Sequence, residues 1–468
     1  MKNKDCIVSF LSVLSVSLFP ILFLFFRNIE EAKLVDIIQI SVIFILIGIV
    51  LFLVVELLIK DVNKSAIITS LILLLMFNFA LIEKVIIKIF PMLYYWHVLL
   101  ILLTIIVLAS IFIKNKFSKE LAENIRVVTL IVFSGLILFN GVSAIPTMIK
   151  KNSDIPTAIQ SELAKGTIEV NSNVYYFIFD EYGGYENVLR YTGYDNTPFY
   201  AALEDLGFNV SKSSRGYTIQ TINEIPNLLN LARINDSNMS YDLRRKNLEN
   251  PLLFRLFKEH GYKLNLISDY GTIPTGEYVD YLFETEMYED TLENFLIKNT
   301  VYYPFLINQY RNSRIVEVES IFQYMIESWE ISHDKLFTFA YVEFPHLPWV
   351  VDENGNDLPL SEKQNWENPD TYLGQLKFAS KKILEVVEVI IEKDPDAIII
   401  IQSDHGYRRA DKIRQDYEDL ELEREFMKNV LNAVYYKGEN VDIEAMSGLN
   451  TLYVVLNKFF GMDFKLIE

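Results

Sequence analysis

Five apolar runs crowd into the first 150 residues, and nothing else limits the possible folds of this chain so tightly. They cover roughly residues 7–26, 37–58, 66–82 (with a continuation towards 90), 93–113 and 127–145. Each is about 17 to 22 residues long, enough for a helix to cross a hydrocarbon core of about 30 Å. In such a core every backbone N–H and C=O must be bonded within the segment, so the runs are predicted to be helices. Five in succession, separated by short polar joints, describe a membrane bundle rather than the interior of a soluble domain. The first run ends in Phe23, Leu24, Phe25, Phe26 and Arg27, with no small-residue cleavage site after it. It is therefore expected to stay as an anchor rather than be removed as a signal peptide. Cys6 precedes that run instead of following it, which argues against a lipoprotein signal.

Charge divides the chain at the same place. Residues 1–149 carry 12 Lys and Arg against 9 Asp and Glu, whereas residues 150–468 carry 31 against 52. A back half with a net charge of −21 argues against nucleic acid as a partner, since a binder of phosphate backbones needs a basic surface. A single cysteine excludes a disulfide scaffold and a cysteine-built zinc finger. The most basic joint holds Lys114, Lys116, Lys119 and Arg126, and the positive-inside rule puts it in the cytoplasm. With five spans, the N-terminus is then inside and the long back half outside. The expectation is a multi-pass protein of a bacterial cell membrane with an extracytoplasmic domain, where the lack of further cysteines suits an oxidising surface. The aromatic cluster Tyr94, Tyr95, Trp96 and His97 reads as an interfacial belt at the outer end of the fourth helix.

The predicted organisation is a membrane domain over 1–149, a juxtamembrane linker over 150–172 and a globular domain over 173–468. In the last, strands are predicted at 174–180 (VYYFIFD), 263–268 (KLNLIS), 336–343, 397–401 (AIIII) and 432–436. Helices are predicted at 198–206, 251–260, 316–328, 371–393 and 448–460. Strands apolar on both faces, alternating with helices at βαβ spacing, mean an α/β fold: a mostly parallel sheet with helices on both faces. In such sheets the site lies beyond the carboxyl ends of the strands.

Polar residues fall at those ends. Asp180 and Glu181 follow VYYFIF, Asp404 and His405 follow IIIIQS, and His346 follows FAYVEFP. An acid at a strand end is often only a helix cap, but the set is harder to dismiss. Asp404 and His405 are adjacent and could converge on one ion if the chain turns, as Gly406 permits. Carboxylate plus imidazole suits one divalent ion, Mn²⁺ or Zn²⁺, better than Ca²⁺.

These segments resemble the alkaline-phosphatase/sulfatase superfamily, and within it the membrane-anchored branch of lipoteichoic acid synthases and phosphoethanolamine transferases. NVYYFIFDEYG resembles the first metal-binding strand, with Asp180 rather than Glu181 at the ligand position. YTGYDNTPFYAALEDLGFNV resembles the segment that usually follows it. SRGYTIQTINEIPNLLN resembles the segment that carries the nucleophile, here Thr221. FPHLPWVVDENG resembles the segment with a substrate-side histidine, here His346. SDHG resembles the second metal segment, giving Asp404 and His405, and NAVYY with SGLNTLYVVLNKFFG resembles the closing strand and helix. The likeness covers roughly residues 170–465 in motif order, and the membrane front matches the usual build of the branch.

Two departures are visible. Family members often carry Ser three residues beyond the nucleophile, where this chain has Glu224, an acid that either alters the charge a substrate carries there or simply caps the helix that begins there, the second reading being favoured. Second, Thr221 is followed by Ile222, Asn223, Glu224 and Ile225, so the C/S-x-P-x-R motif of formylglycine sulfatases is missing.

The resemblance implies a metal-dependent phospho-group transferase or hydrolase acting on a membrane lipid or envelope polymer. Asp180, Thr221, Asp404 and His405 would hold one metal, and the Thr221 hydroxyl, a weak nucleophile by itself, would be activated there. His346 would bind the phosphate or protonate the leaving alcohol. Arg215, in the turn before Thr221, would meet a phosphate, and Arg408 and Arg409 after SDHG are similar cases. The alternatives are a sulfatase-like hydrolase of sulfate or phosphate esters and a catalytically silent envelope protein of the same fold.

Overall fold

The computed structural model describes residues 2–29, 34–90, 92–151, 172–233, 247–269, 272–285, 296, 299–332, 334–359, 368–409 and 417–467. The predicted linker 150–172 lies almost wholly outside them. The chain forms two compact units. One comprises Met1–Asp154 with Tyr288–Tyr310, and the other Ile155–Met287 with Arg311–Glu468. Sequence placed all of 173–468 in one domain, whereas Leu296 and the described residues from Asn299 to Tyr310 group with the apolar helices.

The first unit holds helices α1 (Lys2–Arg27), α2 (Leu34–Ile59), α3 (Val62–Phe77), α4 (Phe79–Ile89), α5 (Tyr95–Lys116) and α6 (Lys119–Lys151). Four of them are long and apolar enough to cross a membrane; α3 and α4 form a pair bent by 64°, which makes a fifth span if the pair crosses together. The third predicted run is thus a broken helix. The hydrogen bond that would carry the ladder past Asn78, from Ala80 N–H to the Met76 carbonyl, is replaced by two others. Ala80 N–H donates to the Asn299 carbonyl at 3.2 Å, and Val301 N–H donates to the Met76 carbonyl at 3.0 Å. Tyr95 also donates its hydroxyl to the Val301 carbonyl at 2.7 Å. A segment remote in sequence satisfies the groups that the bend frees, which is how a broken helix survives where water is scarce.

The second unit contains β1 (Val174–Phe179), α7 (Tyr185–Thr192), α8 (Thr197–Asp205), β2 (Asn209–Val210), α9 (Thr221–Leu229), α10 (Leu252–Glu259), β3 (Lys263–Ser268) and β4 (Tyr281–Glu284). It continues with α11 (Tyr303–Glu327, which begins in the first unit), β5 (Leu336–Val342), α12 (Pro369–Lys393), β6 (Ile398–Ser403), α13 (Leu420–Met427), β7 (Asn432–Tyr435) and α14 (Gly448–Phe460). One seven-stranded sheet runs in the order β2-β7-β6-β1-β5-β3-β4. Strands β6, β1, β5, β3 and β4 are parallel, while β7 is antiparallel to both β6 and β2. Side-chain alternation splits β1 between two cores. Tyr175, Phe177 and Phe179 pack with α8, α11 and α12 side chains such as Leu203, Phe322 and Leu376. Val174, Tyr176 and Ile178 face Leu228, Phe257 and Leu456 of α9, α10 and α14. Covered on both sides, β1, β5 and β6 are buried along their whole length, which is why they read as unbroken apolar runs. Their carboxyl ends are therefore the place in this unit where polar side chains gather at the bottom of an otherwise apolar layer.

Candidate active site

Strands β1 and β6 are neighbours in register, with Phe179 beside Ser403, so the residues just beyond them are brought together. Asp180 leaves β1 with its N–H donated to the Val342 carbonyl at 2.9 Å. Ser403 ties the ends of three strands: its hydroxyl donates to the Tyr182 carbonyl at 2.6 Å and accepts the Leu431 N–H at 3.0 Å. After Asp404 and His405 the chain turns at Gly406. A β-carbon there would lie 2.7 Å from the Asn429 carbonyl oxygen and 2.7 Å from Asn187 Nδ2, so close approach demands glycine. Asn187 clamps the turn by accepting the Tyr407 N–H at 2.9 Å and donating to the Tyr407 carbonyl at 3.2 Å.

Asp180, Asp404 and His405, all buried, offer one donor atom each within 4.8 Å of one another. His405 Nε2 lies 3.4 Å from Asp180 Oδ1 and 3.6 Å from Asp404 Oδ2. Its Nδ1 is 3.0 Å from the Gly406 carbonyl, which requires Nδ1–H to donate and leaves the Nε2 lone pair facing the two acids. Thr221, the first residue of α9, donates its hydroxyl to Asp404 Oδ2 at 2.6 Å and lies 3.4 Å from His405 Nε2. It is not the helix cap, a position that Gln220 occupies. Burial, then the facing charge of Asp404, raises the Asp180 carboxyl to about 6. Asp180 Oδ1 has no hydrogen-bond partner among the described residues. Two facing carboxylates, one with an unsatisfied oxygen, an imidazole lone pair and a hydroxyl form a donor set that could hold a divalent cation.

His346 follows β5 and sits at the edge of this cluster. Its Nδ1 is 2.7 Å from the Leu347 carbonyl and must donate there. Its Nε2 accepts from Arg408 Nη2 at 3.2 Å and lies 3.7 Å from Glu181 Oε2. Burial alone would lower the His346 pKa, but the carboxylates of Asp180 and Glu181 outweigh it and the value is raised. Tyr341, whose buried hydroxyl is pushed well above its usual pKa by burial and by Asp180 and Asp404, adds a further polar group nearby.

Of the residues singled out from sequence, Asp180, Thr221, Asp404 and His405 meet, and His346 borders them. Arg215 does not join them: its guanidinium pairs with Glu186 and donates to the Ser213 carbonyl at 3.0 Å. Arg408 is the cation beside His346, and its position two residues after SDHG was the sequence signal for it. Glu224 does not cap α9. Its carboxylate accepts the N–H groups of Tyr217 and Thr218 at 3.2 and 3.0 Å, fastening the loop that leads into Thr221. A capping carboxylate bonds to the N–H groups of its own first turn or N-cap, whereas Glu224 reaches past Gln220 to the preceding loop. Burial raises its carboxyl to about 7.

A model of the sulfatase family matches residues 173–450. That is more than half of the chain, and the chain belongs to this family. No curated protein matches it in sequence. Among solved structures, it is similar to the C-terminal periplasmic domain of EcEptC from Escherichia coli in complex with Zn, at 15% identity over 65% of this chain and 87% of that one, with a TM-score of 0.44. It is also similar to the integral membrane lipooligosaccharide phosphoethanolamine transferase A from Neisseria meningitidis, at 11% identity over 97% and 95% with a TM-score of 0.45. The lipoteichoic acid synthase LtaP from Listeria monocytogenes shares 11% identity over 68% and 79%, with a TM-score of 0.40.

Proposed function

We propose that this chain is a membrane-anchored phospho-group transferase that takes a phosphodiester, lipid-linked or from the cell envelope, through a covalent intermediate on Thr221. The observation that supports it most is the Thr221 hydroxyl bonded at 2.6 Å to an acid of a buried donor cluster at the strand ends. A threonine cannot become formylglycine, which separates this chain from sulfatases that depend on that group. One divalent ion, Mn²⁺ or Zn²⁺, would be held by Asp180, Asp404, His405 and the Thr221 oxygen, where it would lower the pKa of the hydroxyl and offset charge on the phosphoryl oxygens.

The protein's own groups account for the proton movements. Thr221 Oγ1 forms a bond to phosphorus as its proton passes to Asp404 Oδ2. The bond from phosphorus to the leaving oxygen breaks, and His346 in its protonated form gives that oxygen a proton from Nε2. Only Nε2 can do so, because Nδ1–H is held on the Leu347 carbonyl. Arg408 beside it meets a phosphoryl oxygen. In the return step an acceptor hydroxyl loses its proton to Nε2 and attacks phosphorus, and Thr221 recovers its proton from Asp404. The N-terminus of α9, with its unpaired N–H groups, favours the phosphate further.

The membrane unit would keep enzyme and lipid in one plane. With the joint between α5 and α6 in the cytoplasm, α6 leads the α/β unit outside a bacterial cell membrane; the N-terminus is then inside if α3 and α4 cross together, making five spans, and outside if they do not. Protease added to intact cells tests this, since a fully protected α/β unit rules out the outer location.

The chemistry is tested at Thr221. Thr221→Ala is expected to keep its fold and bound metal and to lose turnover of a phosphodiester by about three orders of magnitude or more. Thr221→Ser is expected to keep measurable turnover because a hydroxyl remains. A Thr221→Ala protein working near the parent rate would remove the covalent route.

A further inference from the structure

The reaction drawn above leaves Glu181 without a role, although it is the most tightly constrained residue of the site. Its φ of +58° lies in the left-handed region, which a side chain of this length enters only when the surroundings compel it. It is wholly buried. Its N–H donates to Asp404 Oδ1 at 3.2 Å and its carbonyl accepts the Tyr372 hydroxyl at 2.9 Å. Its Oε1 accepts the Arg408 N–H at 2.9 Å and lies 3.7 Å from Arg408 Nε. Its Oε2 has no hydrogen-bond partner among the described residues and faces His346 Nε2 at 3.7 Å. A buried carboxylate with one oxygen unsatisfied is costly, and this one stands against the two groups suited to receive a phosphoryl oxygen.

We propose that Glu181 is a positioning and selectivity residue: it holds Arg408 and His346 as one clamp, and its charge makes the site prefer singly charged phosphodiesters to doubly charged phosphomonoesters. In the arrangement seen here, with His346 Nε2 accepting from Arg408, the clamp carries one positive charge, and Glu181 already balances it; the proton that His346 carries for the transfer step adds one further charge, which monoester and diester meet alike. A diester adds one negative charge. A monoester adds a second, next to an oxygen that has no donor, in a dry site where Coulomb terms are poorly screened. The Glu181–Arg408 backbone bond fixes where the guanidinium starts from, so the same residue sets both the aim and the charge of the clamp.

This rests on the phosphotransferase reading, and binding separates the two. Glu181→Gln retains an oxygen that can accept the Arg408 N–H and removes only the charge. The full-length parent and variant in detergent micelles, loaded with metal, are titrated at about pH 8 with inorganic phosphate, then mostly a dianion, and with dimethyl phosphate, a monoanion. The preference for dimethyl phosphate over inorganic phosphate is expected to fall at least tenfold in the variant, through tighter binding of the dianion, with bound metal unchanged. An unchanged or larger preference, an equal loss of both ligands, loss of metal, or no binding of either ligand to the parent overturns the inference. Failure of the parent to turn over a diester, with the selectivity change still present, counts against the transferase reading alone.

Discussion

Arg126 is buried in the first unit and Arg408 is half-buried in the second, and the two are treated in opposite ways. Arg126 of α6 donates through Nη1 to the Asp5 carbonyl at 2.9 Å, to Asn63 Oδ1 at 2.8 Å and to Ser9 Oγ at 3.3 Å, with Asp5 Oδ1 at 3.7 Å. These partners belong to the neighbouring helices α1 and α3 and occupy Nη1; Glu123 of α6 lies 3.9 Å from Nη2, and Nε has no hydrogen-bond partner among the described residues. In the α/β unit Arg408 faces His346 and the Glu181 carboxylate, where Glu181 Oε2 and Asp180 Oδ1 have no donor among the described residues. A charge whose partners are saturated joins helices; one whose partners are left short waits for a ligand. The apolar surfaces differ as well. Leu57, Leu138 and Trp96 are 75%, 67% and 61% exposed in the first unit, as lipid-facing residues should be, whereas in the second the large apolar residues line two interior cores.

This contrast makes predictions of decreasing size. The strand-end cluster should respond through chemistry. Asp404→Asn and His405→Ala are expected to lose bound metal and to reduce turnover by about three orders of magnitude or more, with the fold kept by its two cores. Metal analysis with circular dichroism checks this, and full metal occupancy in both variants would show that the ligands are wrongly chosen. Arg126 should respond through stability alone. Arg126→Ala removes a donor from the Asp5 carbonyl and from Asn63 Oδ1, leaving the latter only the Ser9 hydroxyl, and is expected to cost about 1–3 kcal/mol with turnover unaltered in the protein that remains folded. A turnover loss without a fall in the thermal midpoint would place Arg126 in a coupled functional role and break the contrast.

Glu224 should show the smallest effect, and one that depends on pH. Its folded-state pKa of about 7 is above the ordinary 4.5, so the folded protein holds that proton more tightly than the unfolded chain. The associated stability is complete below the unfolded value and is lost as pH rises through the folded one. Parent protein should therefore lose stability relative to Glu224→Gln between about pH 5 and pH 8, read as converging or crossing thermal midpoints. Parallel midpoints across that range would show that the carboxyl titrates normally.

Much of the fold was legible because solvent wrote it into the pattern. Unbroken apolar runs marked β1, β5 and β6, and β3 and α14 run over the very residues expected, 263–268 and 448–460. The edge strands β2 and β4 and the short helices α7 and α13 were not visible, since each is half-exposed or short and carries little periodic signal. The start of α11 was missed for a related reason: its first turns lie in the stretch that joins the first unit, a contact that local pattern does not encode.

At the site, sequence by itself determined which chemistry was at hand. Acids and imidazoles directly after buried strands have few alternatives to lining the sheet's carboxyl edge, and Thr221 at the head of an apolar-periodic segment could only open a helix. Tertiary structure decided the partners. Whether Arg215 or Arg408 faces the cluster depends on Glu186, which pairs with the first, and on Glu181, which holds the second. Whether Glu224 caps forward or fastens backward depends on where the loop 216–218 passes. The bend at Asn78 depends on a segment more than 200 residues away taking over the groups of one helix hydrogen bond. Local sequence sets what a residue can offer over a few turns of chain. Which donor meets which acceptor is set by packing between elements distant in sequence, and a buried polar group is decided by that pairing.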